Sequence, residues 1–200
     1  MVRALRILPD PGEPIEKIEI ERLEDYQAVV GGWIEPVDIP NLGVTIFVNE
    51  EGLLRHLPFN SRATFLWWYL EPAARQQAML VGPALVVGLP DRSGDATDVP
   101  DTAIELLTRL GEYAVLVKIG DGPAWVTEPL GKFGSTVMPM AAGEPNWFLS
   151  AARYEDYFTA AAWAMVLLER WDEAIDTRVV PVAHLPIHLQ HVHRPVTETD

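Results

Sequence analysis

Pro9-Asp10-Pro11-Gly12 can continue neither a helix nor a central strand, because each proline fixes φ and removes an N–H donor. The chain must turn there. Similar punctuation recurs at Gly31-Gly32, at Pro40-Asn41-Leu42-Gly43 and at Asn49-Glu50-Glu51-Gly52, so the elements between these points are short. Stretches 2–8 and 15–20 are β-rich and read as two strands. From Glu21 the apolar positions become Leu23, Tyr26, Val29 and Val30, one face of a helix that Gly31-Gly32 stops where a left-handed cap is wanted. Residues 33–39 and 44–48 follow as strands. Asn60 is placed to cap a helix carrying Ala63, Phe65, Leu66 and the run Trp67-Trp68-Tyr69. Residues 79–87, interrupted by Gly82-Pro83, are almost continuously apolar and read as a buried strand. The order β-β-α-β-β-α-β predicts an α+β fold, with a small mixed sheet and short helices.

The polar, turn-rich stretch 90–98 is the expected boundary between a first αβ domain, 1–90, and a second αβ segment, 99–189. The second segment opens with a helix introduced by Asp98-Val99-Pro100-Asp101, with Ala103, Leu106, Leu107 and Leu110 on its apolar stripe. Residues 113–119 and 124–128 flank Gly120-Asp121-Gly122-Pro123, a β-hairpin signal. One long amphipathic helix is expected at about 152–174, with Glu169, Asp172, Glu173 and Asp176 spaced to line an acidic face. A strand at 178–183 would return to the sheet, and 190–200 reads as a surface tail.

Charge and composition narrow the function. The 15 basic and 29 acidic residues give a net charge of −14, which argues against direct nucleic-acid binding, since affinity for a polyanion comes from Lys and Arg. Anionic membrane surfaces are disfavoured for the same reason. The residues up to 100 carry 8 basic and 15 acidic side chains and the rest carry 7 and 14, a net of −7 in each half. The acidity therefore belongs to the whole surface and not to a tail. With no cysteine, disulfides, thiolate nucleophiles and Cys-ligated metals are all excluded. No apolar run reaches the roughly 18 residues of a membrane span, and Met1-Val2-Arg3 leads straight into a strand, so a cytoplasmic location is expected.

Few residues invite chemistry. His184, His188, His191 and His193 place four of the five histidines within ten residues, and neutral imidazoles ligate zinc, nickel and copper. Pro186 prevents a regular helix from putting His184 and His188 on one face, which favours a surface or interface role. No cofactor is otherwise called for; a divalent metal on these histidines is the single candidate. Gly131-Lys132-Phe133-Gly134-Ser135-Thr136 has the letters of a phosphate loop, but Val126 stands where its first glycine is needed. Glu35, Asn49, Asn60 and Arg62 could meet at one sheet edge, although turn and cap roles also explain both asparagines. Trp67, Trp68 and Tyr69 are consecutive on a helix at 100° per residue and cannot all point inward, so a partner surface or a homo-oligomer contact stands beside plain core packing as their reading.

Four ordered blocks carry a resemblance: Val30-Gly31-Gly32-Trp33-Ile34-Glu35, Val48-Asn49-Glu50-Glu51-Gly52, Leu57-Pro58-Phe59-Asn60-Ser61-Arg62-Ala63 and Val81-Gly82-Pro83-Ala84-Leu85-Val86-Val87-Gly88. Over about residues 1–90 the chain resembles the domain of unknown function 3846 family of actinobacteria, their phages and mobile elements. The resemblance supplies no activity. It implies a phage or mobile-element setting, in the bacterial host cytoplasm, and hence a non-enzymatic protein acting through protein–protein interaction in host takeover or counter-defence. An acidic DNA mimic is one variant of that class. The alternative is a metal-dependent enzyme or small-ligand-binding protein using the histidine cluster or Glu35.

Overall fold

A computed structural model describes residues 1–120, 137–139, 147–150 and 152–190. The chain divides into two compact units, Met1–Arg109 and the residues from Leu110 onward. The fold is α+β, as the alternation of short segments predicts.

In the first unit, β1 (Val2–Ile7), β2 (Glu16–Ile20), β3 (Ile34–Ile39), β4 (Val44–Asn49) and β5 (Ala84–Gly88) form one sheet in the order β2-β1-β5-β4-β3. Every pair is antiparallel, so the mixed sheet expected from sequence is corrected to an antiparallel one. The reason lies in the connection from β4 to β5. Helix α2 (Ser61–Leu70) starts where β1 ends, because Asn60 donates to the Ile7 carbonyl, and finishes near the β3–β4 connection, where Asn41 donates to the Leu70 carbonyl. Residues 71–80 then bring the chain back to pair Val81 with Phe59. Strand β5 therefore begins at the end where β4 stops and runs the other way.

Helix α1 (Leu23–Val30) covers one face of this sheet, where Ala4, Ile20, Leu85 and Val87 join Val30 in the core and Tyr26 meets Phe47 edge to face. Side chains on the opposite face of the strands, Leu5, Ile7, Val44, Ile46 and Val86, are fully buried as well. Burial on both faces explains why 84–88 reads as a continuous apolar run and not as an alternation.

The first unit does not stop at residue 90. Arg3 donates its main-chain N–H to Asp98 and Val99 donates to the Arg3 carbonyl, so the polar stretch 90–98 is a loop that returns to β1. Helix α3 (Asp101–Thr108) thus belongs to the first unit, and the boundary moves from 90–98 to Arg109/Leu110.

In the second unit, β6 (Tyr113–Ile119), β7 (Val137–Pro139), β8 (Trp147–Ser150) and β9 (Ala174–Pro181) form an antiparallel sheet in the order β7-β8-β6-β9. Helix α4 (Tyr157–Arg170) packs on β6 and β9, and Tyr113 meets Tyr157 edge to face. Residues Ala114, Leu116, Trp147 and Leu149 form a second core cluster with Val182, Leu185 and Leu189. The last of these sits on the short α5 (Ile187–Gln190).

Helix α4 is shorter than the 152–174 expected. Tyr154 exchanges both main-chain hydrogen bonds with Tyr113 and so is extended, and the Asp156 carboxylate then caps the helix by accepting from the Thr159 N–H at 2.8 Å. At the other end Asp172 and Glu173 form a turn and Asp176 lies on β9, so the four acids expected along one helical face do not share a helix. The hairpin partner at 124–128 and the phosphate-loop letters at 131–136 lie outside the described residues.

Candidate functional site

The pairing registers place the four sequence blocks at one end of the first sheet. Ile7 pairs with Ala84 and Ile34 with Asn49, so the ends of β1 and β4 and the starts of β5 and β3 lie together. The turn after Asn49, the segment before α2 and the residues before β5 all meet there.

Asn49 and Asn60 hold this end together. Asn49 is buried, donates its amide to the Val30 carbonyl at the end of α1 and accepts from the Glu51 N–H at 2.9 Å. Asn60 is completely buried. Its amide donates to the carbonyls of Ile7 at 3.0 Å and Gly82 at 2.9 Å, and its side-chain oxygen accepts from the Ala63 N–H as the cap of α2. One side chain thus ties β1, the approach to β5 and a helix start, and its hydrogen-bonding capacity is turned wholly inward. Gly82 has φ +73°, a backbone conformation that L side chains rarely adopt, so glycine is favoured there.

Arg62 has the same kind of role. Its guanidinium donates to the carbonyls of Glu13 at 2.7 Å, Asp10 at 2.9 Å and Leu8 at 3.0 Å, fastening the β1–β2 turn to the first turn of α2. Arg55 donates to the Gly31 carbonyl at 2.7 Å. Glu35, by contrast, is exposed on edge strand β3 and pairs across to Val48. Asn49, Asn60, Arg62 and Glu35 therefore surround one end of the sheet, but the asparagines face its interior and do not converge with Glu35 on a cleft.

Trp67 and Trp68 are each partly buried. The Trp68 indole N–H donates to the Ala78 carbonyl at 2.8 Å, Arg75 donates to the Trp68 carbonyl, and the ring lies beside Phe65. Phe59, Trp68, Ala78 and Met79 line a shallow apolar groove of about 320 Å³.

The same end of the sheet carries large exposed hydrophobics. Trp33, which accepts at its carbonyl from the Glu50 N–H, is 64% exposed, Leu53 57%, Leu54 82%, Phe59 43% and Met79 48%. Trp33 and Phe59 fall within the blocks but carry no mark of a surface in the sequence, and Leu53 and Leu54 belong to no block and were missed. The available signal was two adjacent leucines directly after a Glu-Glu-Gly turn, in a stretch with neither helical nor strand period.

His184 is exposed; the side chain of His188, and His191 and His193, lie outside the described residues. Among the described residues no group of three or more His, Asp or Glu side chains is arranged to hold a metal ion. None of the helices described is long and apolar enough to cross a membrane.

Fold and site together define an antiparallel α+β domain in which Asn49, Asn60 and Arg62 hold one end of a sheet. Residues 3–112 match the model of the family described as a domain of unknown function, DUF3846, and the chain belongs to that family. The match extends beyond the 1–90 expected and takes in α3, in agreement with the bonds that join residues 98–99 to β1. No curated protein and no solved structure matches the chain.

Proposed function

We propose that the protein is non-enzymatic and acts through contact with another protein, made by the first unit at the end of the sheet where the four blocks meet. One observation carries this reading: Asn49, Asn60 and Arg62 of the blocks are consumed by main-chain hydrogen bonds, whereas the same end leaves large apolar side chains, among them Trp33, Leu53 and Leu54, in solvent. A rigid buried frame under exposed leucine and aromatic side chains is the anatomy of a recognition surface, where a few large side chains supply most of the binding energy. Host takeover or counter-defence by a phage or mobile element is the setting this proposal takes from the resemblance.

Mimicry of DNA is a narrower version of the proposal and has less in its favour. Arg3 pairs with Asp98 and Asp101, and Arg6 with Glu16, so cations interrupt the carboxylates of the sheet. Panning a displayed library of random peptides against the full chain tests the interaction reading. Enriched peptides that bind the wild type and are lost on the Leu53→Ser/Leu54→Ser variant support it. Failure to enrich any such peptide counts against it.

A further inference from the structure

The apolar end of the first sheet is also an acidic end. Glu50 and Glu51 are exposed in the turn that precedes Leu53, and Asp10 and Glu13 are exposed in the β1–β2 turn at the same end of the sheet. None of these four carboxylates forms an ion pair among the described residues. Two arginines at this end, Arg55 and Arg62, donate to the main-chain carbonyls of Gly31, Leu8, Asp10 and Glu13. This end of the sheet therefore exposes leucine and aromatic side chains together with four carboxylates, none of them ion-paired among the described residues.

Resting on the interaction reading above, we propose that the partner is a protein segment with apolar anchor side chains flanked by lysine or arginine. Leu53, Leu54, Phe59 and Met79 would take the anchors, and Glu50, Glu51, Asp10 and Glu13 the basic flanks. Charge complementarity selects this occupant. A second copy of the chain would bring the same carboxylates to an isologous contact and meet like charge. An anionic membrane surface would be repelled on the same ground.

Both components must matter, and they are separable. The probes are an amphipathic peptide of leucine and lysine, its leucine and glutamate counterpart, and polylysine, titrated into the full chain by calorimetry. The leucine–lysine peptide is expected to bind and to lose about tenfold in affinity on Leu53→Ser/Leu54→Ser, which leaves the charge unchanged. It should also weaken on Glu50→Gln/Glu51→Gln and with rising salt. Leu23→Ser, at the opposite end of α1, is the control and should leave affinity unchanged, since Leu23 is 52% exposed but lies far from the β4 turn along the helix. Equal losses for the leucine–lysine peptide and for polylysine would show bulk charge attraction only and overturn the proposal. So would an unchanged affinity in Leu53→Ser/Leu54→Ser, or equal binding of the leucine–glutamate peptide. The library experiment keeps the two readings apart: acidic or neutral peptides competing at Leu54 would overturn the basic partner and leave the interaction surface standing. Circular dichroism of each variant confirms that these exposed substitutions keep the fold.

Discussion

A methyl group added to Gly32 would stand 2.6 Å from the side-chain nitrogen of Asn49, closer than any packed carbon is found. Asn49 occupies that space because it is bonded to the Val30 carbonyl at the end of α1 and to the turn that follows β4. The Gly-Gly block and the Asn-Glu-Glu-Gly block, separate in the chain, are thus two halves of one contact. Gly32→Ala should cost about 1–3 kcal/mol through overpacking, read as a lower urea midpoint with an unchanged slope. A midpoint equal to that of wild type would show that Asn49 gives way without loss.

Asn60 ties together more of the first unit than its role as a cap requires. Asn60→Ala removes the cap of α2 and leaves the carbonyls of Ile7 and Gly82 buried without their donor. A lost cap and unsatisfied buried acceptors together should lower stability by about 2–4 kcal/mol. Asn60→Asp separates the two contributions, because a carboxylate still accepts from the Ala63 N–H but cannot donate to either carbonyl. Chemical denaturation should therefore rank wild type above both variants. An Asn60→Asp protein as stable as wild type would show that the two carbonyl bonds contribute nothing.

Arg62 binds three carbonyls through a planar fork, a geometry that an ammonium does not reproduce. Arg62→Lys should cost about 1 kcal/mol. Hydrogen exchange should quicken at Glu13, whose N–H bonds to the Asp10 carbonyl inside the fastened turn, while the amides of β5 keep their protection. Unchanged exchange at Glu13 would mean that the turn holds its shape without the arginine.

Much of the first unit was legible in its sequence because turn residues and local periodicity carry the information. Pro9 to Gly12, the cap at Asn60 and the helical face of Tyr26, Val29 and Val30 all concern neighbours in the chain, although Leu23, read on that face, is exposed. What was not legible depends on contacts between distant residues. The domain boundary was misplaced because the polar stretch 90–98 looks like a linker, and only the bonds from Arg3 to Asp98 and Val99 reveal that it returns to β1. The long helix was overdrawn because Tyr154 fits the helical period, although its main-chain partner is Tyr113. Asn49 and Asn60 could be read as turn and cap residues, but their bonds to Val30, Ile7 and Gly82 span separations that no local pattern reports.

Asp98 ties the acid side of the stability profile to this same loop. The main-chain N–H of Arg3, and then its guanidinium, hold the Asp98 carboxyl below its ordinary range. A carboxylate with a lowered folded pKa stabilises the fold above its unfolded pKa, and that contribution disappears as pH falls through the folded value. Asp98→Asn should therefore lower stability at neutral pH and flatten the acid limb of a stability profile. A variant whose acid limb matches that of wild type would remove Asp98 from the account.

Tyr154 contributes on the alkaline side. Burial pushes its phenol up to about 12, and its ring stacks on Trp163 with centroids 6.5 Å apart. A phenol whose folded pKa is raised stabilises the fold fully below its unfolded pKa of about 10 and loses that contribution as pH rises toward the folded value. Wild type should thus lose stability between about 10 and 12, whereas Tyr154→Phe keeps the stacked ring and removes the ionisation. Burial raises the Tyr26 phenol too, so spectrophotometric titration should show one fewer late-ionising tyrosine in the folded variant than in folded wild type. If the two proteins lose stability in parallel across that range, Tyr154 is not the group responsible.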